Sequence, residues 1–106
     1  PPRMLGESPS IQVKSHSAVI SWQTDKKSNG LVAIAAEDDF HPERKNPYTT
    51  VIGNPDEQVN RHSVVIDSLI PETVYHFQVR SKTKLGFEFK SPDLTFKTPS
   101  LNPEIS

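Results

Sequence analysis

The amino-acid sequence predicts an all-β sandwich of two antiparallel sheets, and three observations support this. Short alternating apolar runs recur between turn signals at a spacing of roughly 8–12 residues. No segment has a convincing helical period. The run Leu69–Val79 joins a proline bend to a tyrosine that opens an alternating strand. Such a tyrosine is typical of a corner at which its hydroxyl bonds the backbone a few residues upstream, so Pro71 would stiffen the bend and Tyr75 would anchor it.

The N-terminal half of the chain contains three predicted strands. Ile11–Val13 follows a proline and suits an edge strand, where a nearby proline is tolerated. Ala18–Thr24 alternates cleanly and directs Trp22 inward. After a polar turn, Leu31–Ala36 is an apolar run that we interpret as a strand. Its alanines leave a short helix as the alternative, but the segment is too brief between turn signals to favour one.

Five further segments precede the corner or follow it directly. Glu37–Tyr48 is polar and contains two prolines, which predicts a loop. Thr49–Ile52 is a short predicted strand, and Gly53–Glu57 is a predicted turn. Strands are then predicted over Val59–Asp67 and Val74–Thr83.

The last predicted strand covers Phe87–Thr98, with a bulge near Pro92 because proline donates no ladder hydrogen bond. Gly86 marks the turn before it. Inward-facing side chains from all the strands predict one core between the two sheets, formed by Trp22, Ile20, Val32, Ile34, Val64, Ile66, Leu69, Phe77, Val79 and Phe96. The alternation also predicts that His76 faces solvent.

Composition narrows the possible functions. The 106 residues suit one domain, and the absence of cysteine excludes disulfides and thiolate sites. The net charge is −1, with 12 basic and 13 acidic residues interspersed, which predicts no nucleic-acid partner. No apolar run approaches the ~20 residues that span a bilayer, so no membrane insertion is predicted. We expect a monomer in isolation.

The termini predict that the chain is a piece of a longer protein. It begins without an initiator methionine, and prolines cluster at both ends. We therefore expect a linker over 1–8, a domain over 9–99 and a second linker over 100–106.

Several of these features together resemble the fibronectin type III family. They are Trp22, the L-x-P-x-T-x-Y run that ends at Tyr75, and the closing Thr98-Pro99, in that order. The resemblance covers about Pro9 to Pro99 and implies a seven-stranded immunoglobulin-like β-sandwich used as a spacer or binding module. Fibronectin type III domains share no common catalysis.

Two segments are similar to one branch of that family. Val32–Ala35 lies where this branch has a V-x-Y-G run, and His62–Ile66 precedes the corner. Both look like the bacterial and purple-acid-phosphatase-associated branch, whose sandwich lies ahead of a metal-bearing catalytic domain.

Because proteins of that branch contain a metal-bearing domain, we searched the sequence for metal ligands, and it predicts no metal site. Gly53–Glu57 resembles a G-N-H-(E/D) metal run, but Pro55 replaces the histidine and supplies no side-chain ligand. Asp38–His41 is the tightest cluster of ligand types, and we interpret it as a solvated loop. His62 and His76 are predicted on different sheets. The sequence accordingly predicts no catalytic residue, no cofactor site and no metal site.

The predicted hairpin around Gly86 is the candidate site for a partner. Its candidate residues are Lys82, Lys84, Leu85 and Phe87, which combine apolar and cationic side chains. The alternative, which the strand alternation favours, is that Phe87 and Phe89 pack into the core and only Leu85 is exposed.

Three functional hypotheses follow. The preferred one is a non-catalytic fibronectin type III module in a larger secreted or cell-surface protein, bacterial in origin, acting as a spacer or as a protein or glycan interaction domain. Its partners would include neighbouring domains of the same chain. The alternative is an accessory domain that positions substrate for a secreted phosphatase or glycosidase. A third is a homophilic adhesion unit that uses an exposed strand edge.

Overall fold

The computed structural model describes residues 1–101, and these residues form an antiparallel all-β sandwich, as predicted. The six strands are β1 (Met4–Val13), β2 (Ala18–Ala36), β3 (Thr50–Ile66), β4 (Val74–Lys82), β5 (Glu88–Lys90) and β6 (Leu94–Lys97). A single 3₁₀ turn, Glu37–Asp39, follows β2. No helix in this part of the chain is long and apolar enough to cross a membrane.

The two layers of the sandwich share the long strands β2 and β3. In the first half of β2, Ile20 lies opposite Ile11 of β1 and Val64 of β3. In the second half, Val32 lies opposite Ile52 of β3 and Val79 of β4. Side chains from both halves pack in one core. The ladder therefore folds over itself, and its register is irregular around Ser28, between the two halves.

The prediction of seven strands differs from the six observed because some predicted turns stay extended. The predicted turn Gly53–Glu57 is wrong, since these residues lie inside β3 and Asn54 pairs with Gly30. Pro55 is tolerated there because the β2–β3 register shifts between Ser28 and Gly30, opposite the proline. Conversely, the last predicted strand is divided into β5 and β6 around Pro92.

The ordered strands reach into the segment predicted as an N-terminal linker. Met4 and Leu5 pair with Thr24 and Gln23, so β1 begins before the predicted domain start at Pro9. At the other end, residues 102–106 of the predicted linker lie outside the described residues. The domain limits 9–99 stay a prediction.

The core matches the prediction. Its buried apolar residues are Ala18, Ile20, Trp22, Val32, Ile34, Val64, Ile66, Leu69, Tyr75, Phe77, Val79 and Phe96. Trp22 is buried, and its indole Nε1 donates to Ser81 Oγ at 2.9 Å, so its one polar atom is partnered. This bond also ties β2 to the end of β4.

The tyrosine corner forms as predicted. Tyr75 is 7% exposed, and its hydroxyl oxygen accepts the backbone N–H of Ile70 at 2.9 Å. The hydroxyl of Thr98 donates to the carbonyl of Ile70 at 2.6 Å and accepts the N–H of Thr73 at 3.0 Å. These bonds join the bend before β4 to the end of the last strand.

A second apolar cluster covers the outer face of the β2–β4 layer. Ala33 and Ala35 are buried there beneath Tyr48, and Phe40 packs on the same cluster. The loop after β2 therefore folds back over the sheet, and the second half of β2 is buried on both faces.

Candidate partner-binding surface

The hairpin between β4 and β5 is closed by three hydrogen bonds to Thr83. The N–H of Thr83 donates to the carbonyl of Phe87 at 2.8 Å, and the N–H of Gly86 donates to the carbonyl of Thr83 at 3.0 Å. The Thr83 hydroxyl accepts the N–H of Phe87 at 3.2 Å. Gly86 has a φ of +95°, a left-handed conformation that glycine adopts without the steric cost of a Cβ. The turn is therefore held in one shape.

This turn exposes two large apolar side chains. Leu85 is 85% exposed and Phe87 is 54% exposed, whereas Phe89 is half-buried against the core. The predicted packing of Phe87 into the core is wrong, because the left-handed turn at Gly86 interrupts the alternation that continues only from Glu88. Leu85 and Phe87 stay candidates for partner contact.

The base of the hairpin is anchored by amide side chains. The buried Asn29 accepts the N–H of Lys82 through its Oδ1 at 2.8 Å and donates to the carbonyl of Pro55 at 3.1 Å. Gln58 donates to the carbonyl of Lys82 at 3.3 Å. One hairpin end is thereby joined to both β2 and β3. Sequence analysis did not identify Asn29 and Gln58, since nothing in a polar segment marks which amide will reach a distant strand.

A recess of about 360 Å³ lies beside the hairpin. The lining residues are Pro1, Lys26, Lys27, Gln58, Thr83, Lys84, Leu85 and Phe87. Lys82 and Lys84 line an adjoining recess. We call the set Lys26, Lys27, Lys82, Lys84, Leu85 and Phe87 the hairpin surface. It contains all four predicted candidates and adds two lysines of β2, more than fifty residues away in sequence, which only the fold brings beside the hairpin.

The hairpin surface is positively charged although the chain has a net charge of −1. All four of its lysines are exposed, and within residues 1–101 none of them forms an ion pair. The lining of the apolar recess contains no carboxylate. The surface therefore combines an apolar centre with uncompensated positive charge.

Close to the hairpin base, His62 is buried in a polar cluster. Its Nε2 lies 3.0 Å from Thr24 Oγ1 and 3.4 Å from Ser28 Oγ, and its ring stacks on Trp22. The Thr24 hydroxyl donates to the carbonyl of Lys26, so its oxygen accepts the Nε2–H of His62. The other nitrogen, Nδ1, faces Gly30. A Cβ at position 30 would lie only 2.6 Å from this nitrogen, so the cluster requires glycine there. Burial lowers the pKa of His62, and the charge of Glu57 opposes this weakly.

His76 lies on the outer face of its sheet. The prediction that it faces solvent is wrong, because other side chains cover it. Phe40 stacks on its ring at 4.1 Å between centroids, and its Nδ1 is 2.6 Å from the Asp93 carboxylate. Asp93 also accepts the hydroxyl of Tyr48 at 2.7 Å. Burial, followed by the bond and the charge of Asp93, raises the pKa of Tyr48 well above its ordinary value. The cluster pins the loop after β2 onto the sheet.

The ligand-type side chains of the loop after β2 and of β4 form only pairwise contacts. His41 contacts Glu43 at 3.4 Å, and Nε2 of His76 is 3.6 Å from Glu37. In the part of the chain that the structure describes, no three His, Cys, Asp or Glu side chains are grouped as a metal site would require. Pro55 lies in β3, so the segment around it is part of a strand rather than a ligand loop.

The double layer, the tyrosine corner and the divided last strand define a fibronectin type III-like β-sandwich. Solved structures agree with this class. The third fibronectin III domain of human KIAA0343 protein is 18% identical, with 89% of this chain and 82% of that chain covered and a TM-score of 0.60. The sensor domain of the anti-sigma factor RsgI4 from Pseudobacteroides cellulosolvens is 24% identical, with 94% and 91% covered and a TM-score of 0.56. At these identities the likeness shows the fold alone.

The sequence itself identifies the family. The sequence-family model of the purple acid phosphatase N-terminal domain matches residues 9–98. This is almost the same span as the resemblance found in the sequence. This chain belongs to the family of purple acid phosphatase N-terminal domains. The fibronectin type III recognition is confirmed.

Proposed function

We propose that this domain is a non-catalytic interaction module that contacts a protein, above all a neighbouring domain of a larger secreted or cell-surface polypeptide, through the hairpin surface. The observation that carries the proposal is the exposure of Leu85 and Phe87 on a hairpin anchored at its base by Asn29. A fixed loop that holds large apolar side chains in water is typical of a contact surface.

A protein fits the recess better than a glycan does. Sugar rings need several hydrogen-bond partners beside an aromatic face. The neutral polar side chains in the lining are Gln58, which donates to the backbone of Lys82, and Thr83, which accepts the N–H of Phe87. The remaining lining is apolar or cationic, which suits protein side chains.

The lack of catalysis is part of the proposal, and the positions of the candidate groups support it. His62 is buried and bonded to Thr24, and His76 is held by Asp93 beneath Phe40. Both histidine side chains are therefore engaged in packing clusters, whereas a general base needs reach to a substrate proton.

The second candidate function is an accessory domain of a hydrolase, and the family match favours it. The matched family is named for the N-terminal domains of purple acid phosphatases. In this form of the proposal, the hairpin surface would contact the catalytic domain of a secreted, bacterial phosphatase and help to position substrate. A spacer role would need no contact at the hairpin at all, so contact at this surface separates the hypotheses.

The test is amide hydrogen exchange on this chain alone and within the full-length product of its gene. We expect slower exchange over residues 83–88 in the full-length protein, because the adjacent domain covers the hairpin. The double variant Leu85→Ser with Lys84→Glu should restore the exchange rates of the isolated domain.

A matched control carries Val65→Ser with Lys14→Glu, which changes another exposed apolar residue and another exposed lysine. It should leave the protection unchanged. Equal exchange at the hairpin in both forms would instead support a spacer. Slower hairpin exchange caused by an adjacent phosphatase or glycosidase domain would favour the accessory role.

A further inference from the structure

We infer that the hairpin surface binds an acidic protein segment that carries one large apolar side chain as an anchor. This inference rests on the proposed function and specifies the chemistry of the partner. It follows from the shape of the recess, from its charge and from the way its walls are held.

The recess explains the apolar anchor. Leu85 and Phe87 both line the recess, and at about 360 Å³ the space is large enough for one bulky side chain. An inserted Phe or Leu would cover the exposed faces of both residues and remove apolar surface from water. A flat partner would leave the recess empty, so a protruding segment fits better.

The lysines explain the acidic flanks. Lys26, Lys27 and Lys84 all line the recess, so carboxylates next to the anchor would meet ammonium groups there. The nearby Asp25 forms no ion pair with them within residues 1–101, and its carboxylate accepts the backbone N–H of Arg3 at 2.8 Å. Asp56 lines only the adjoining recess.

The walls are already fixed before binding. Asn29 and Gln58 hold the backbone of Lys82, and Thr83 closes the turn. A preformed surface loses little conformational entropy when the partner binds. One recess still buries far less than the ~800 Å² per partner of a standard interface, so the affinity for a short segment is modest and depends on salt.

Other anionic partners fit less well. A nucleic-acid site needs a basic face that follows a backbone, whereas the lysines of the hairpin surface are grouped at one recess and the adjoining one. An anionic bilayer would accept Leu85 and Phe87 as a convex tip, but it would not fill the recess beside them. The recess therefore favours a protein segment over a lipid surface.

The experiment is an NMR titration of the ¹⁵N-labelled 106-residue chain with three synthetic peptides of equal length. The first has Asp and Glu around a central Phe, the second has Lys in place of the acids, and the third has Ser in place of the Phe. We expect the first peptide to shift the amides of residues 26–27 and 83–87 in a saturable manner. The other two should bind at least about tenfold more weakly.

Charge reversal at the recess supplies the matched test. Lys26→Glu with Lys84→Glu should weaken binding of the first peptide by at least about tenfold, because both acidic flanks then meet like charge. Lys14→Glu with Lys97→Glu makes the same change of net charge at exposed sites outside the hairpin surface, and it should bind as the parent chain does.

Three results of the peptide titrations would overturn the inference: equal binding of the lysine peptide, equal loss in the control variant, or shifts confined to another face. Sedimentation with phosphatidylserine vesicles without peptide binding would overturn it in favour of a membrane. In either case the exchange experiment on the full-length protein still decides the proposed function, because hairpin protection there does not depend on which chemistry provides it.

Discussion

The two ends of β4 differ in how they treat polar and apolar groups. At its start, Tyr75 is buried and its hydroxyl is bonded to the backbone of Ile70. Past its end, Leu85 is exposed and the adjacent lysines form no ion pair within residues 1–101. The first end satisfies its groups internally, whereas the second presents them to the outside.

The residues that stabilise the fold and those that could contact a partner therefore lie at opposite ends of one strand of nine residues. Groups that are satisfied within the fold add to the free energy of unfolding, and groups left in water do not. Substitutions at the corner should therefore change stability, and substitutions at the hairpin should change binding. The following predictions test that separation, in order of decreasing effect.

Trp22→Ala should cost about 3–5 kcal/mol of unfolding free energy, because it empties a large buried volume. It also removes the bond to Ser81, which lies next to the hairpin. Denaturant melts followed by far-UV circular dichroism measure the loss, since Trp22 is the only tryptophan. A loss below about 1 kcal/mol would mean that the core relaxes freely around the site, contrary to its packing.

Tyr75→Phe should cost about 1–2 kcal/mol, because the backbone N–H of Ile70 loses its acceptor while the ring stays packed. The same melts measure it. Binding of the acidic peptide should be unchanged in this variant. A stability equal to that of the parent chain would show that the corner bond is not needed, and the contrast between the two ends of β4 would fail.

His62 makes the stability depend on pH. Its folded pKa is lowered from 6.5 by burial, so below pH 6.5 the unfolded chain takes up a proton that the folded chain does not. The contribution of neutral His62 to the free energy of unfolding is therefore fully present above pH 6.5, and it is lost as the pH falls below that value. Melts of the parent chain and of His62→Gln between pH 7.5 and pH 5 test this, since the variant should show a flatter pH dependence. Parallel curves would assign the acid sensitivity to other groups.

Leu85→Ser with Lys84→Glu should change the unfolding free energy by less than about 0.5 kcal/mol, because both side chains are in water. Leu69→Ser at the corner is the matched comparison. Leu69 is 6% exposed, so the same substitution there should be strongly destabilising. Comparable losses at both positions would show that the hairpin is part of the stabilising structure.

The fold and the corner could be predicted because their signals are local. Trp22 and Tyr75 lie in clean alternations, and a two-residue period assigns a face without knowledge of the partner strand. The core followed from the same periodicity. For the core residues, the position in the alternating pattern was sufficient to predict that the side chain is buried.

The candidate site depended on contacts that a local pattern does not encode. The inward alternative for Phe87 depends on a strand that begins at Phe87, whereas β5 begins one residue later, at Glu88. His76 was assigned to solvent because Phe40, which covers it, lies in a distant loop. Lys26 joined the hairpin surface only through the folding of β2 against β4. The misses at His76 and Lys26 involve residues far apart in sequence, whereas the miss at Phe87 concerns the residue at which a strand begins.

The interrupted edges of the ladder bear on how this domain folds beside others. Each edge strand is broken: β1 between Leu5 and Ser10, β3 around Pro55, and the last strand around Pro92. A second chain needs a regular row of unpaired backbone groups in order to add a strand, and these breaks shorten every such row. Nascent copies emerging together on polysomes, or tethered in tandem, should therefore complete their own folds without exchanging strands.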